Sequence, residues 1–421
     1  MTARNRKHIA MSVTHGLQFM ERIIHGITDY AKQNAHWAFT RPPEMFGTSM
    51  EWLEYWHGDG AFCAIYTPDE AKLVDRIGIP IVNLATHLSA LRVPSITVDH
   101  YEIGELAARH LLEHNFRRFG YYGPRGLHYA ELRRDGFCSV IAQAGGEVKM
   151  LEVQTVDDSS KQKLDDQQES LEQWLQALKP PVGILASADL RASMVLEACQ
   201  KLRLRVPEDV TVAGVDNDPL VCDFCDPPLT SISRNDYQVG FEAARLLDQL
   251  MDGAPSPEKP IRIPPAGIVQ RRSTDTISVE DPYVAEAIRF MREHVQEQFG
   301  VDEVLNQLPL SRRSLEYRFR ACLGRSPYDY LNQIRVDQAK RLLSDPHRSS
   351  LTKIAIACGF GDLRRFRIVF QRLVAASPAE YRQAAFRIAR GEPGPDYTLP
   401  AHIDPLPGKG RGKNKQRRAA K

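Results

Sequence analysis

The sequence predicts two folds in one chain. An α/β body of two lobes with parallel sheets spans residues 1–273, and an all-α domain with two helix-turn-helix units spans 285–390. Three observations carry this. Short β-rich runs alternate with amphipathic helical stretches through the first part of the chain, which implies parallel sheets with helices on both faces. A pattern of short helix, tight turn and arginine-bearing helix then occurs twice between Val301 and Tyr381. Finally, the formal net charge of +2 conceals a division: from Tyr283 onward there are 26 Lys+Arg against 14 Asp+Glu, leaving 29 against 39 in the rest.

A basic C-terminal third on an acidic body fits nucleic acid held at one end, and not general membrane binding. The 421 residues suffice for two or more domains with large cores. No apolar run approaches the length of a membrane span, and MTARNRKHIAMSV lacks the apolar stretch and cleavage site of a signal peptide, so a cytoplasmic protein is expected. Seven scattered cysteines, with Cys222 and Cys225 the one close pair, give a weak metal or redox signal; reduced thiols, no metal and no cofactor are expected. Gly145-Gly146 is a turn, since neither GxxxxGK[ST] nor GxGxxG occurs.

Taken in order, the strands expected are His8–Val13, Trp37–Thr40, Ala61–Tyr66, Pro80–Ala85, Ser95–Asp99, Phe119–Gly123, Glu147–Val153, Gly183–Ser187 and Val210–Asp216. Helices are expected between most of them, for example Ile103–Glu113 and Ala192–Leu202. This is too many units for one sheet and points to two lobes. Trp37, Trp52, Trp56 and Trp174 fall on these patterns and read as core. Residues 274–284 form a linker.

In the second domain Leu315 and Phe319 are spaced i, i+4, as are Phe366 and Phe370, so each pair makes an apolar stripe on a short helix. Seven residues after each pair stands Ser-Pro, at Ser326-Pro327 and Ser377-Pro378, followed by Asp329 or Glu380. That is an N-cap, a proline at the first helical position and a capping box. Off the stripes lie Arg312, Arg313, Arg318 and Arg320 in one unit, and Arg364, Arg365, Arg367 and Arg372 in the other. A major groove admits one such helix, and its arginines bind guanine or phosphate. The alternative, a merely solvated charged face, is the better reading of one helix and the poorer reading of two with the same turn logic.

IAxxCGFGD (Ile354–Asp362), the Phe366/Phe370 pair, SPAEYR (Ser377–Arg382), SRRSLEYRF and GRSP make this stretch resemble the AraC-type DNA-binding domain. The resemblance implies a long helix from Ser326 to about Leu343, with Leu331, Ile334 and Leu342 inward, joining recognition helices set about 34 Å apart, one turn of DNA. The DNA contacts it implies, taken with the exposed arginines, are Ser311, Arg312, Arg313, Arg318, Asp362, Arg364, Arg365 and Arg367. One departure is that Ala375 stands where the first unit has Gly324.

The body resembles the LacI-type sensor, of periplasmic-binding-protein fold, through Ser95–Gly123, ELRRDGF (Glu131–Phe137), Gly183–Leu196 and Val206–Ser233. The pairing of this sensor with an AraC-type reader implies a transcription activator whose sensor closes on a pentose, D-xylose first among them. A sugar needs carboxylates and guanidinium groups for its hydroxyls and an aromatic wall for its ring. Asp99, Asp189 and Asp216 follow predicted strands, where ligand contacts in such lobes fall. The family motifs give Arg133 and Asp216 the clamping roles, with Asp99 and Asp189 beside them, and Phe19 could supply the wall. The alternatives are a helix N-cap for each aspartate and a surface position for Arg133.

The resemblance further implies a homodimer on double-stranded DNA half-sites, with RNA polymerase as a partner if the protein activates. From Gly391 onward proline and glycine deny the chain a core, and a disordered basic tail is expected over 391–421. No HxH, HExxH or nucleophile motif supports the rival of a sugar-processing enzyme.

Overall fold

The computed structural model describes residues 6–14, 16–42, 49–89, 91–154, 161–276, 279, 281–344 and 350–389. The expected tail, 391–421, lies outside them. The chain divides between Ser278 and Val279 into two compact units.

The first unit opens with β1 (His8–Ser12), α1 (Gln18–Tyr30), β2 (Ala38–Thr40), β3 (Gly60–Cys63), α2 (Pro68–Val74), β4 (Ile81–Asn83) and β5 (Ile96–Val98). There follow α3 (His100–Glu113), β6 (Phe119–Pro124), α4 (His128–Gln143), β7 (Val148–Val153), α5 (Lys161–Ala177), β8 (Val182–Ala186), α6 (Asp189–Leu202) and β9 (Val210–Val215). It closes with α7 (Pro219–Cys222), β10 (Thr230–Ser233), α8 (Asp236–Met251), β11 (Ile261–Ile263) and β12 (Gly267–Val269). One lobe holds the parallel sheet β2-β1-β3-β4, continued by β5 and β11 through a bridge between Asn83 and Ser95. The other holds β12-β10-β9-β8-β6-β7, parallel except for β12. Both faces of each sheet are covered, so β3, β6 and β9 are buried along their whole length, the reason they read as continuous apolar runs.

The chain passes between lobes three times: after β5, after β10, and between β11 and β12. All nine expected strands are present. The three shortfalls, β10, β11 and β12, have four, three and three residues, and β10 reads TSIS, too short and polar to show a period.

The two lobes repeat one packing device. Helices α3 and α4 approach through Gly104 and Gly136, and α1 and α8 through Gly26 and Gly240. A Cβ on Gly104 would stand 2.0 Å from the Arg133 carbonyl oxygen, and one on Gly240 would stand 1.9 Å from that of Ile23. Only glycine allows such contact.

In the second unit α9 (Pro282–Glu293) precedes α10 (Val301–Leu305) and α11 (Arg312–Leu323), the first helix-turn-helix. Helix α12 (Pro327–Ser344) leads to α13 (Leu351–Ala357) and α14 (Leu363–Val374), the second, and α15 (Pro378–Ala389) follows. Leu315, Phe319, Phe366 and Phe370 are all fully buried, as their stripes require. The capping boxes form as well: Ser326 Oγ accepts from Asp329 N at 3.1 Å, and Ser377 N donates to Glu380 at 2.7 Å. On α12 Leu331 and Ile334 are buried, Leu342 packs partly buried against the core, and Leu343 beside it is fully buried. Ala375 ends α14 at φ 58°, the same left-handed exit that Gly324 gives α11 at φ 68°. The departure in residue type leaves the turn unchanged.

Candidate effector cleft and nucleic-acid interface

A cavity of about 500 Å³ lies between the two lobes of the first unit. That is ample for a small ligand. Its polar heart is Asp216, just past β9, held between two guanidinium groups: Arg133 Nη2 and Arg234 Nη1 each stand 3.5 Å from Asp216 Oδ1. Arg133, on α4, is 1 % exposed, so the surface alternative for it is excluded. A buried guanidinium needs partners for its donors. Arg133 finds them in the Ser187 carbonyl oxygen, in His100 Nδ1 at 3.2 Å, and in the Tyr129 ring, 5.0 Å away. Burial lowers the His100 pKa well below the ordinary imidazole value, with the Arg133 charge adding to it. That histidine is therefore neutral at pH 7.

Arg234 stands on the second crossover between lobes, where it can touch both. Its guanidinium lies over the Phe19 ring at 4.4 Å, and its Nε is 2.9 Å from Asp236 Oδ1 at the start of α8. Arg22 on α1 donates to Asp236 Oδ2 at 2.9 Å and to the Asp216 carbonyl oxygen at 2.7 Å, joining the lobes a second time. On the other side of the cleft the Tyr129 and His128 amides donate to the Thr86 and His87 carbonyl oxygens, at 2.8 and 3.1 Å. The lobes thus meet by main-chain hydrogen bonds beside a partly open, largely apolar cavity lined also by Tyr66, His87 and Tyr129. Flat rings with fixed donors and acceptors between them suit a polyhydroxylated ring.

In the second unit the recognition helices present their arginines unequally. Arg313, Arg364 and Arg367 are exposed and make no hydrogen bond or ion pair with the described residues. Arg365 is exposed, and its charge helps to lower the pKa of the neighbouring Tyr328 hydroxyl. Arg312 pairs with Asp302 at 2.8 Å and approaches Glu316 at 3.6 Å. Large apolar side chains stand out on both helices at matching places, Tyr317 on α11 at 75 % exposure and Ile368 on α14 at 60 %.

Comparison with known proteins agrees with both domains. Residues 108–274 match the periplasmic binding protein-like domain, and residues 304–384 match a helix-turn-helix domain. The xylose operon regulatory protein of Escherichia coli (strain K12) is 29% identical over 386 residues, which is 90% of this chain and 97% of that protein. That of Haemophilus influenzae is 29% identical over 331 residues, 77% and 84% of the two chains. The solved structure of a xylose-binding transcription activator superposes with a TM-score of 0.65 at 28% identity, over 90% of this chain and 98% of that one. Along nearly its whole length the chain is similar to the xylose operon regulators. It is a sugar-responsive, DNA-binding transcription regulator. A cellobiose-bound regulator, 22% identical with a TM-score of 0.53 over 64% of this chain and 86% of its own, shares the fold of the sensor.

Phe19, Arg133, Asp189 and Asp216 all line the cavity. Asp189 is not the helix cap, a place held by Ala188; its carboxylate accepts from Ser231 Oγ at 2.6 Å, Asp218 N at 2.9 Å and Cys222 Sγ at 3.3 Å. It braces the cleft floor from behind rather than offering free oxygens. Asp99 is corrected: its Oδ1 accepts from the amides of Tyr101 and Glu102 at 3.0 and 3.1 Å, so it is the N-cap of α3 and does not line the cavity.

Three residues expected at the DNA have partners within their own domain. Ser311 and Asp362 cap α11 and α14, accepting from Ser314 N at 3.3 Å and Arg365 N at 2.7 Å. Arg318 turns back into its own domain, where it pairs with Asp281, the N-cap of α9, and lies 5.2 Å from the Tyr283 ring. Its counterpart in α14, 51 residues on in the same register as Phe319 and Phe370, is the buried Val369. That alignment was available in the sequence. Arg234 and His100 were not singled out from the sequence. Recognising β10 would have found Arg234, which follows that strand as Asp216 follows β9.

Proposed function

We propose that D-xylose, or a pentose very close to it, is the effector, and that its binding in the cleft activates transcription. Sugar hydroxyls accept from Arg133 and donate to Asp216, the ring lies along Phe19, and Asp189 holds the floor. Binding from both lobes favours the closed state by differential affinity. Closure alters the surface offered to a second copy, and the resulting homodimer sets its reader units at a spacing suited to tandem half-sites on double-stranded DNA. Arg313, Arg364, Arg365 and Arg367, with Arg312, supply the base and phosphate contacts. RNA polymerase is the further partner of an activator in the cytoplasm, and the chain performs no catalysis of its own.

The observation that carries this reading is a buried arginine and an aspartate meeting on the wall of an interlobe cavity, in a chain aligned with 97% of a xylose operon regulatory protein. Among the described residues no helix is long and apolar enough to cross a membrane. A second reading, the same architecture answering another sugar, rests on the cleft's hydroxyl-matching chemistry, which does not fix the number of hydroxyls. Calorimetric titration with D-xylose, other pentoses and hexoses tests both. Binding of D-xylose that Arg133→Met abolishes supports the first, a preferred hexose supports the second, and turnover of any sugar would bring back the enzyme alternative.

A further inference from the structure

Past β9 the backbone turns a left-handed corner on two non-glycine residues, Asp216 at φ 113° and Asn217 at φ 48°. Backbone of this kind persists only where its surroundings hold it. The two side chains meet different parts of the unit. Asp216 faces the cavity and its two arginines. Asn217 Oδ1 instead accepts from Arg271 Nη1 at 3.0 Å, while Asn217 N donates to Ser231 Oγ at 2.9 Å.

Arg271 belongs to the segment by which the chain leaves the first unit. Its Nη1 donates also to the Leu229 carbonyl oxygen at 3.0 Å, its Nε lies 3.0 Å from Asp223, and its amide donates to Thr230 Oγ1 at 2.7 Å. The next residues, Arg272–Thr274, form a short helical turn whose Ser273 and Thr274 are fully buried. Ser273 Oγ donates to the Val212 carbonyl oxygen of β9 at 2.6 Å, and Thr274 Oγ1 stands 2.9 Å from both Thr230 Oγ1 and His110 Nε2. The exit segment and the cleft corner are therefore fastened to each other and to one strand.

We propose that Arg271 is a positioning residue that couples the effector site to the exit of the sensor. It grips Asn217, so any resetting of the Asp216–Asn217 corner by a sugar in the cleft is delivered to residues 271–274 and from there along the chain to the DNA-binding unit. A coupling needs an element with two arrangements that both sites bias. Both sites act on the corner: its carboxylate faces the cleft and its side-chain amide faces the exit. The proposal rests on the effector reading above.

The test uses the full chain. Asn217→Gly removes the amide acceptor while allowing the left-handed backbone, so the fold survives; Arg271→Met removes the donors from the other side. D-xylose affinity is measured by calorimetry. DNA affinity is measured with and without D-xylose on a duplex selected from a random pool by the wild-type chain. Both variants are expected to keep D-xylose affinity within about tenfold, while the sugar-dependent change in DNA affinity falls from the roughly 5- to 150-fold usual for coupled sites to under about twofold. Variants that respond to D-xylose as the wild type does overturn this proposal alone. A wild-type chain indifferent to D-xylose overturns the effector reading and this one with it.

Discussion

Arg133 Nε lies 3.2 Å from Nδ1 of His100. A guanidinium can only donate, so this imidazole accepts through Nδ1 and carries its proton on Nε2, which stands 3.3 Å from Thr97 Oγ1. The neutral histidine thus orients the clamp arginine. Replacing it by leucine strands a buried donor, at a cost of about 1–3 kcal/mol. His100→Leu is expected to lower the unfolding midpoint of the sensor and weaken D-xylose binding together. Denaturation and calorimetry on one preparation measure both, and an unchanged affinity would remove His100 from the site.

Buried titratable groups give the sensor opposing pH responses. His110 is pushed down to about 3, first by burial and then by the charge of His114, so on the acid side only the unfolded chain takes the proton. Stability then falls as pH falls below 6.5, by about 2 kcal/mol at pH 5 for this one group. Asp189 has the other sign. Burial, then the Asp216 charge, raises it to about 7, so between 3.8 and 7 the folded chain holds the extra proton and stability falls as pH rises through that window. Between pH 3.8 and 6.5 the two slopes oppose each other, so His110→Gln is expected to leave a urea midpoint that falls as pH rises there, and Asp189→Asn one that rises. A wild-type slope between pH 5 and 7 in His110→Gln rejects the first assignment.

The arginines of the reader should separate by experiment. Arg364→Ala removes an exposed cation, and is expected to weaken DNA binding and lower the slope of log affinity against log salt by roughly one if it meets a phosphate. Arg318→Ala breaks the tie to Asp281 and the stack on Tyr283. It is expected to lower the thermal midpoint while leaving that slope alone. Equal salt slopes for Arg364→Ala and the wild type would count against Arg364 as a backbone contact.

Ala375 occupies a left-handed position at which a Cβ is unfavourable. Ala375→Gly is expected to stabilise the second helix-turn-helix by about 1 kcal/mol. Thermal unfolding reads the gain, and a loss of stability would mean that the Ala375 methyl contributes more by packing than its backbone costs.

Much of this organisation was legible beforehand because it is local. Caps, i, i+4 stripes and Ser-Pro starts are written within one turn of helix, and they correctly located α11, α12 and α14. Short β-rich runs alternating with helical stretches did the same for nine strands. The short strands β10 to β12 escaped because each takes its place from a neighbouring strand rather than from its own pattern.

The chain's own chemistry therefore determined the order of its parts, a two-lobed parallel sensor, then two helix-turn-helix units, and placed Asp216 at a strand end; Arg133 was nominated by the family resemblance alone. Tertiary structure alone decided which charged side chains face inward. Arg318 is spent on Asp281, and Arg234 is drawn into the cleft by Asp216 and the Phe19 ring. The reason is physical. The direction a charged side chain takes is set by the partner that desolvates least for it, and that partner stands far along the sequence, where no local spacing records it.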